Sequence, residues 1–142
     1  MKNLLITLCF LLGVFFSYGQ SFDGKGDQKI NIGYEAYGFG TGVKATYDYG
    51  LGKLFSIGAG ASAYFNDGEN DYYIYARSQV HLGIAFDFPC QFDLYPGIEL
   101  GYLSSEKIGV SGYLGIRYFI TKKMGIFAEI GNNGSVGLTF NV

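Results

Sequence analysis

His81 is the single histidine among 142 residues, and imidazole is the side chain that most readily trades a proton near neutrality. As the base of a lipid-modifying enzyme it needs a nucleophile or a carboxylate beside it, near an outer rim. Arg77, Arg117, Glu99 and Glu129 supply the charges to gate a narrow ion path or, paired with one another, to close one. Asp67, Glu69 and Asp71 alternate in a loop, NDGEND, in the manner of a calcium loop. The glycine required after Asp71 is replaced by Tyr72 and no bidentate glutamate follows at the right distance, so this reads as a solvated acidic loop. Cys90 has no base near it in sequence and reads as a free thiol. These residues assemble into no catalytic, cofactor-binding or metal-ligating set.

The elements that must position them are set by a period of two. Over 72–88, YYIYARSQVHLGIAFDF, the even positions are apolar apart from Ser78, while the odd ones carry Tyr73, Tyr75, Arg77, Gln79, His81 and Asp87. Alternation of this kind is a strand with one face in an apolar medium and one polar face. It predicts a single long strand with His81 at its middle, pointing to the polar side and away from any rim. The same period predicts strands over 28–37, 43–50, 54–65, 92–103, 109–120, 124–131 and 135–142, joined as four successive hairpins. No segment reads as a helix. Asn132-Asn133-Gly134 is a hairpin signal because Asn-Gly tolerates positive φ angles, and Pro96, within a strand, predicts a bulge or bend.

The first twenty residues are set aside. Lys2, an apolar run over 4–16 and the small residues Ser17-Tyr18-Gly19 read as a secretory signal peptide over 1–20, cleaved to leave a barrel over 21–142. The run is shorter than the about 20 residues of a transmembrane helix. Cys9 follows Leu8 inside it, a poor context for lipid attachment. Without Lys2, nine basic residues stand against twelve acidic ones, a formal charge of −3, and no basic patch invites nucleic acid. One cysteine survives maturation, so no internal disulfide forms. Gly at 23 residues and aromatics at 18%, with no helical periodicity, belong to an all-β chain.

Ten charged residues fall inside the predicted strands: Lys29, Glu35, Lys44, Asp48, Arg77, Asp87, Asp93, Glu99, Arg117 and Glu129. All lie on the face opposite the apolar one. Soluble barrels place apolar residues inside and charges outside. Here two features put the charges inside. Glycines gather on the charged face (Gly33, Gly58, Gly60, Gly83, Gly97, Gly101, Gly115), making room for Arg and Tyr in a narrow lumen. The apolar face carries two aromatic girdles, Tyr47, Tyr49, Phe55, Phe86, Phe88, Phe92 and Tyr118 at one rim and Tyr34, Phe65, Tyr72 and Tyr102 at the other. The apolar medium is therefore lipid, and closure leaves no backbone donor unpaired in it.

The fold expected is an all-β, eight-stranded antiparallel up-and-down transmembrane β-barrel. It resembles the barrels of outer-membrane protein X and outer-membrane protein A. Phe22-Asp23-Gly24-Lys25-Gly26-Asp27 with Asp48-Tyr49-Gly50-Leu51-Gly52 resembles a family of small uncharacterised outer-membrane barrels. The closing Gly137-Leu138-Thr139-Phe140-Asn141-Val142 resembles the signal read by the barrel-insertion machinery. The resemblance implies a cell outer membrane of a Gram-negative bacterium, with the connections at Gly52, Pro89 and Lys122 in the periplasm. It supplies no catalytic residue and no cofactor. The site expected is a lumen charge network of Lys29, Glu35, Lys44, Asp48, Arg77, His81, Glu99, Arg117 and Glu129, with Tyr73, Tyr75, Tyr95 and Tyr113 filling the remaining space. The function expected is structural or surface-interacting and not enzymatic, with outer-membrane lipid as partner, an unknown external ligand and a monomeric state. A narrow porin-like channel for ions or small solutes is the alternative, and a soluble lipocalin-like ligand-binding barrel the third reading.

Overall fold

β-branched and aromatic residues spaced by two favour extended backbone whose neighbours supply its hydrogen bonds. In the computed structural model, which describes residues 2–4, 6, 22, 24–66, 69–89, 91–104 and 107–142, they form eight strands. These are β1 (Gln28–Tyr37), β2 (Gly42–Gly50), β3 (Phe55–Asn66), β4 (Glu69–Val80), β5 (Phe92–Leu103), β6 (Gly109–Phe119), β7 (Met124–Gly131) and β8 (Gly134–Asn141). Each pairs antiparallel with the next, and β8 returns to β1, so the barrel is closed and up-and-down. The outward residues are the apolar set: Ile32, Ile74, Ile98, Leu100 and Val110 are among the exposed hydrophobics. Charges and large aromatics turn inward, the inverse of a soluble barrel and the arrangement of a transmembrane one.

Both aromatic girdles point outward, as the pattern predicts for ten of their eleven members, with Phe92 half-buried. One end of the barrel, here the lower end, carries Asp27, the connections 51–54 and 120–123, residues 81–89, and Val142. The upper end carries the last residues of β1, β3, β5 and β7 and the first of β2, β4, β6 and β8. There Asn133 Oδ1 accepts from the Phe39 backbone N–H at 2.8 Å, tying the β1–β2 turn to the β7–β8 turn. Gly38, at φ +115°, makes that approach possible, because a Cβ there would fall on the Asn133 side chain.

The long strand over 72–88 is corrected by the structure. β4 stops at Val80 and a four-residue helical turn, α1 (Leu82–Ala85), follows, so a helix exists where none is expected. The cause lies on the neighbouring strand. The β4–β5 ladder runs from Tyr73↔Leu103 to Gln79↔Gly97 and ends there. The next partner, Pro96, has no N–H to offer. Pro96 makes no bulge: it pairs with Leu114 in an unbroken β5–β6 register. Asp87, expected among the strand charges, is instead exposed at φ +53° beyond α1. The β7–β8 hairpin is present, but the positive φ falls at Gly131 rather than at Asn133-Gly134. The signal-peptide cleavage site, Cys90 and Asp67 of the acidic loop lie outside the described residues.

Candidate functional site

The inner wall is built by register. Lys29, Asp48, Gly58, Arg77, Glu99 and Ser111 follow one another across β1 to β6 as ladder partners, so residues far apart in sequence form one inner-wall row that climbs from the lower end at Lys29 to the upper end at Ser111, beside Asn133. All nine residues of the expected network are at most 4% exposed, as are Tyr73, Tyr75 and Tyr95, with Tyr113 at 7%. Groups this dry must be paired or hydrogen-bonded to be tolerable.

Glu129 on β7 is the hub. Its Oε1 accepts from Lys44 Nζ at 2.9 Å and its Oε2 from Arg77 Nη2 at 2.7 Å and Tyr95 Oη at 3.1 Å. Those partners stand on β2, β4 and β5, so one carboxylate ties together opposite walls. Lys44 also lies 3.7 Å from both Glu35 and Glu99, and Arg77 is 3.1 Å from Asp48 and 3.7 Å from Glu99. Arg117 reaches Asn31 Oδ1 at 3.3 Å and Asp48 at 3.6 Å. The guanidinium groups of Arg77 and Arg117 lie over the rings of Tyr113 and Tyr95, at 4.8 and 4.4 Å from the ring centroids. Tyrosine rings occupy the space that glycine leaves: a Cβ on Gly60 would stand 2.7 Å from the Tyr75 ring, and one on Gly97 would stand 2.5 Å from that of Tyr113.

Lys29 and His81 belong to a second group at the lower end. Lys29 pairs with Asp27 and donates to Asn141 Oδ1 at 2.9 Å. His81 corrects its expected place: it follows the last residue of β4, at the lower rim rather than at mid-strand, with a hydroxyl and a carboxylate beside it. Ser56 Oγ on β3 lies 2.7 Å from His81 Nε2, and Nδ1 is bonded to Asp93 Oδ2 on β5. Asp93 Oδ1 accepts from the Gly83 backbone N–H of α1 at 3.1 Å. Burial pushes the imidazole below its ordinary pKa, against the pull of Asp93, which favours the neutral ring with Nδ1–H donating to Asp93 and Nε2 accepting from Ser56. Phe22 stacks face to face on His81, centroids 3.6 Å apart and planes 6° apart. All four residues are at most 3% exposed.

Sequence reasoning missed Phe22, and it missed Ser56 and Asp93 as partners of His81. The signal was Pro96: a strand ending opposite it puts His81 level with the lower ends of β3 and β5. Among the described residues no cluster of three or more His, Cys, Asp or Glu has the form of a metal site.

A structure titled "De novo design of transmembrane beta-barrels" superposes with a TM-score of 0.68 at 12% identity, covering 84% of this chain and 98% of that one. The "Crystal structure of the N-terminal beta-barrel domain of Pseudomonas aeruginosa OprF" superposes with a TM-score of 0.63 at 15% identity, covering 84% of this chain and 100% of that one. No curated protein matches the chain. A family model described as "Family of unknown function (DUF6646)" matches residues 12–135.

Proposed function

The chain belongs to the DUF6646 family, and from its own geometry we propose an integral outer-membrane barrel whose lumen is closed by its side chains, with a structural or surface-interaction role and no enzymatic role for the central charge cluster. The observation that carries this reading is Glu129, which holds Lys44, Arg77 and Tyr95 from three other strands within 3.1 Å. An eight-stranded barrel has an interior just wide enough for side chains, and a carboxylate bonded to opposite walls occupies its middle. Export through a cleaved signal peptide over 1–20, insertion by the barrel-assembly machinery, a monomeric state in outer-membrane lipid and a lower end in the periplasm all belong to this reading. The upper connections are short and would meet an external partner through small surfaces only.

The test is planar-bilayer recording of the refolded protein. A closed lumen gives no steady single-channel conductance, and Arg77→Ala, which removes one wall-to-wall link, raises the frequency of transient openings. A narrow cation path is the second reading, favoured by four acids (Glu35, Asp48, Glu99, Glu129) facing three cations (Lys44, Arg77, Arg117). Steady cation-selective conductance of the unaltered protein would establish it in place of the first.

A further inference from the structure

Beyond that reading, and independent of whether the lumen conducts, we infer that Ser56, His81 and Asp93 form a nucleophilic serine site at the lower mouth, which cleaves small esters once Phe22 swings aside.

Three adjacent inner-wall positions supply the parts. β3 and the end of β4 place a serine hydroxyl 2.7 Å from an imidazole nitrogen, and β5 places a carboxylate on the other nitrogen of the same ring. The carboxylate is itself held by the Gly83 N–H. This is the order of roles that activates a serine: nucleophile, base, and the group that fixes the base's tautomer. Arg117 faces Asp93 across the β5–β6 ladder, beside this set. Phe22 marks where an apolar ligand would sit: a flat ring already lies 3.6 Å above the imidazole, on a segment that precedes β1.

The chemistry balances without any external oxidant or metal. Ser56 Oγ attacks the ester carbonyl and passes its proton to His81 Nε2. The acyl carbon–oxygen bond to the alcohol breaks, and the alcohol leaves with that proton. Water then attacks the acyl-serine, again losing its proton to Nε2, which returns it to Ser56 as the acid is released. Ser56 and His81 are the catalytic residues in this step, and Asp93 positions His81. Short aryl or alkyl esters are the substrate class, because the space opened is about that of the Phe22 ring.

The experiment uses the full refolded barrel in detergent, with folding verified by heat-modifiable gel mobility. A small alkyl fluorophosphonate is the first probe, since it transfers its phosphonyl group to an activated serine and expels fluoride. The Phe22→Ala protein should label at Ser56, located by peptide mass, at least tenfold faster than the unaltered protein. It should also release one equivalent of nitrophenolate in a burst from 4-nitrophenyl acetate. Adding Ser56→Ala to Phe22→Ala should abolish both signals, and adding His81→Gln should cut labelling at least a hundredfold. Adding Asp93→Asn should lower the rate and change its pH profile. Should His81→Gln fail to fold, the pH dependence of labelling in Phe22→Ala replaces it. Asp93, Arg117, Lys29 and Tyr95 face the imidazole from β5, β6 and β1, and labelling should fall as the ring protonates in acid. A folded Phe22→Ala barrel unmarked at Ser56, or one labelled equally well with Gln at position 81 or at every pH, overturns the proposal.

Discussion

At the scale of single residues, the lumen is a place where polarity is costly and every charge is held by its neighbours. Glu129 is the sharpest case, because Lys44 and Arg77 both spend their short contacts on it. Removing one partner of a buried pair leaves a charge with neither water nor counter-ion, a loss of about 3–5 kcal/mol. Glu129→Ala should therefore lower unfolding stability by that amount, read as a shift of the urea midpoint in detergent. Glu129→Gln, whose side-chain oxygen still accepts a hydrogen bond from Lys44 or Arg77, should lose less than Glu129→Ala. If Glu129→Ala unfolds at the same urea concentration as the unaltered barrel, the hub is not what joins the walls.

At the scale of elements, the alternation of apolar and polar residues was enough to place β1, β5 and β7 at their observed bounds, because in a lipid-facing strand every second side chain answers to the membrane. It failed at 81–88 for the same reason. Phe86 and Phe88 stay exposed on the lower turn, so a helical turn at the rim keeps the apolar spacing of a strand. What ends β4 is Pro96, forty residues beyond Ser56, and a period read along one strand carries no information about a missing N–H on the next. The burial of the eight network residues within strands follows from phase alone, whereas their partners do not, and His81 lies beyond the strand whose phase placed it. Whether Glu129 meets Lys44 or Arg117 depends on ladder register, which the sequence pattern leaves open. α1 also carries a close approach: a Cβ on Gly83 would stand 2.8 Å from the Phe92 carbonyl and 2.9 Å from Asp93 Oδ1. Gly83→Ala should destabilise by about 1–3 kcal/mol through that overlap. Gly52→Ala, with nothing within 4 Å of the added carbon, should leave the urea midpoint unchanged. Equal midpoints for the two variants would show that α1 yields freely.

At the scale of the whole molecule, polarity is inverted, and that inversion can be tested from outside. Strands of up to 12 residues, at about 3.3 Å each and tilted by about 40°, span about the 30 Å hydrocarbon core of a bilayer. Ile98 points outward from the middle of β5, 64% exposed. In lipid, Ile98→Arg should cost about 2–4 kcal/mol, the penalty for a cation near the midplane, measured as a loss of folded fraction in vesicles titrated with urea. In a soluble barrel the same change would be close to neutral, so an unchanged folded fraction would remove the membrane from the argument.

The seam between β1 and β8 has a consequence for assembly. Seven of the eight ladders join strands that follow one another in sequence, each a local hairpin. The eighth brings Lys29 against Asn141 and Glu35 against Ser135. Hairpins zip with little loop entropy to overcome, whereas this closure must gather a contour of more than a hundred residues in one step. Until it does, β1 and β8 are two open edges with unsatisfied donors, intolerable in lipid and sticky in water. The final strand is thus a clasp, and the time before its fastening is when the chain most needs an escort.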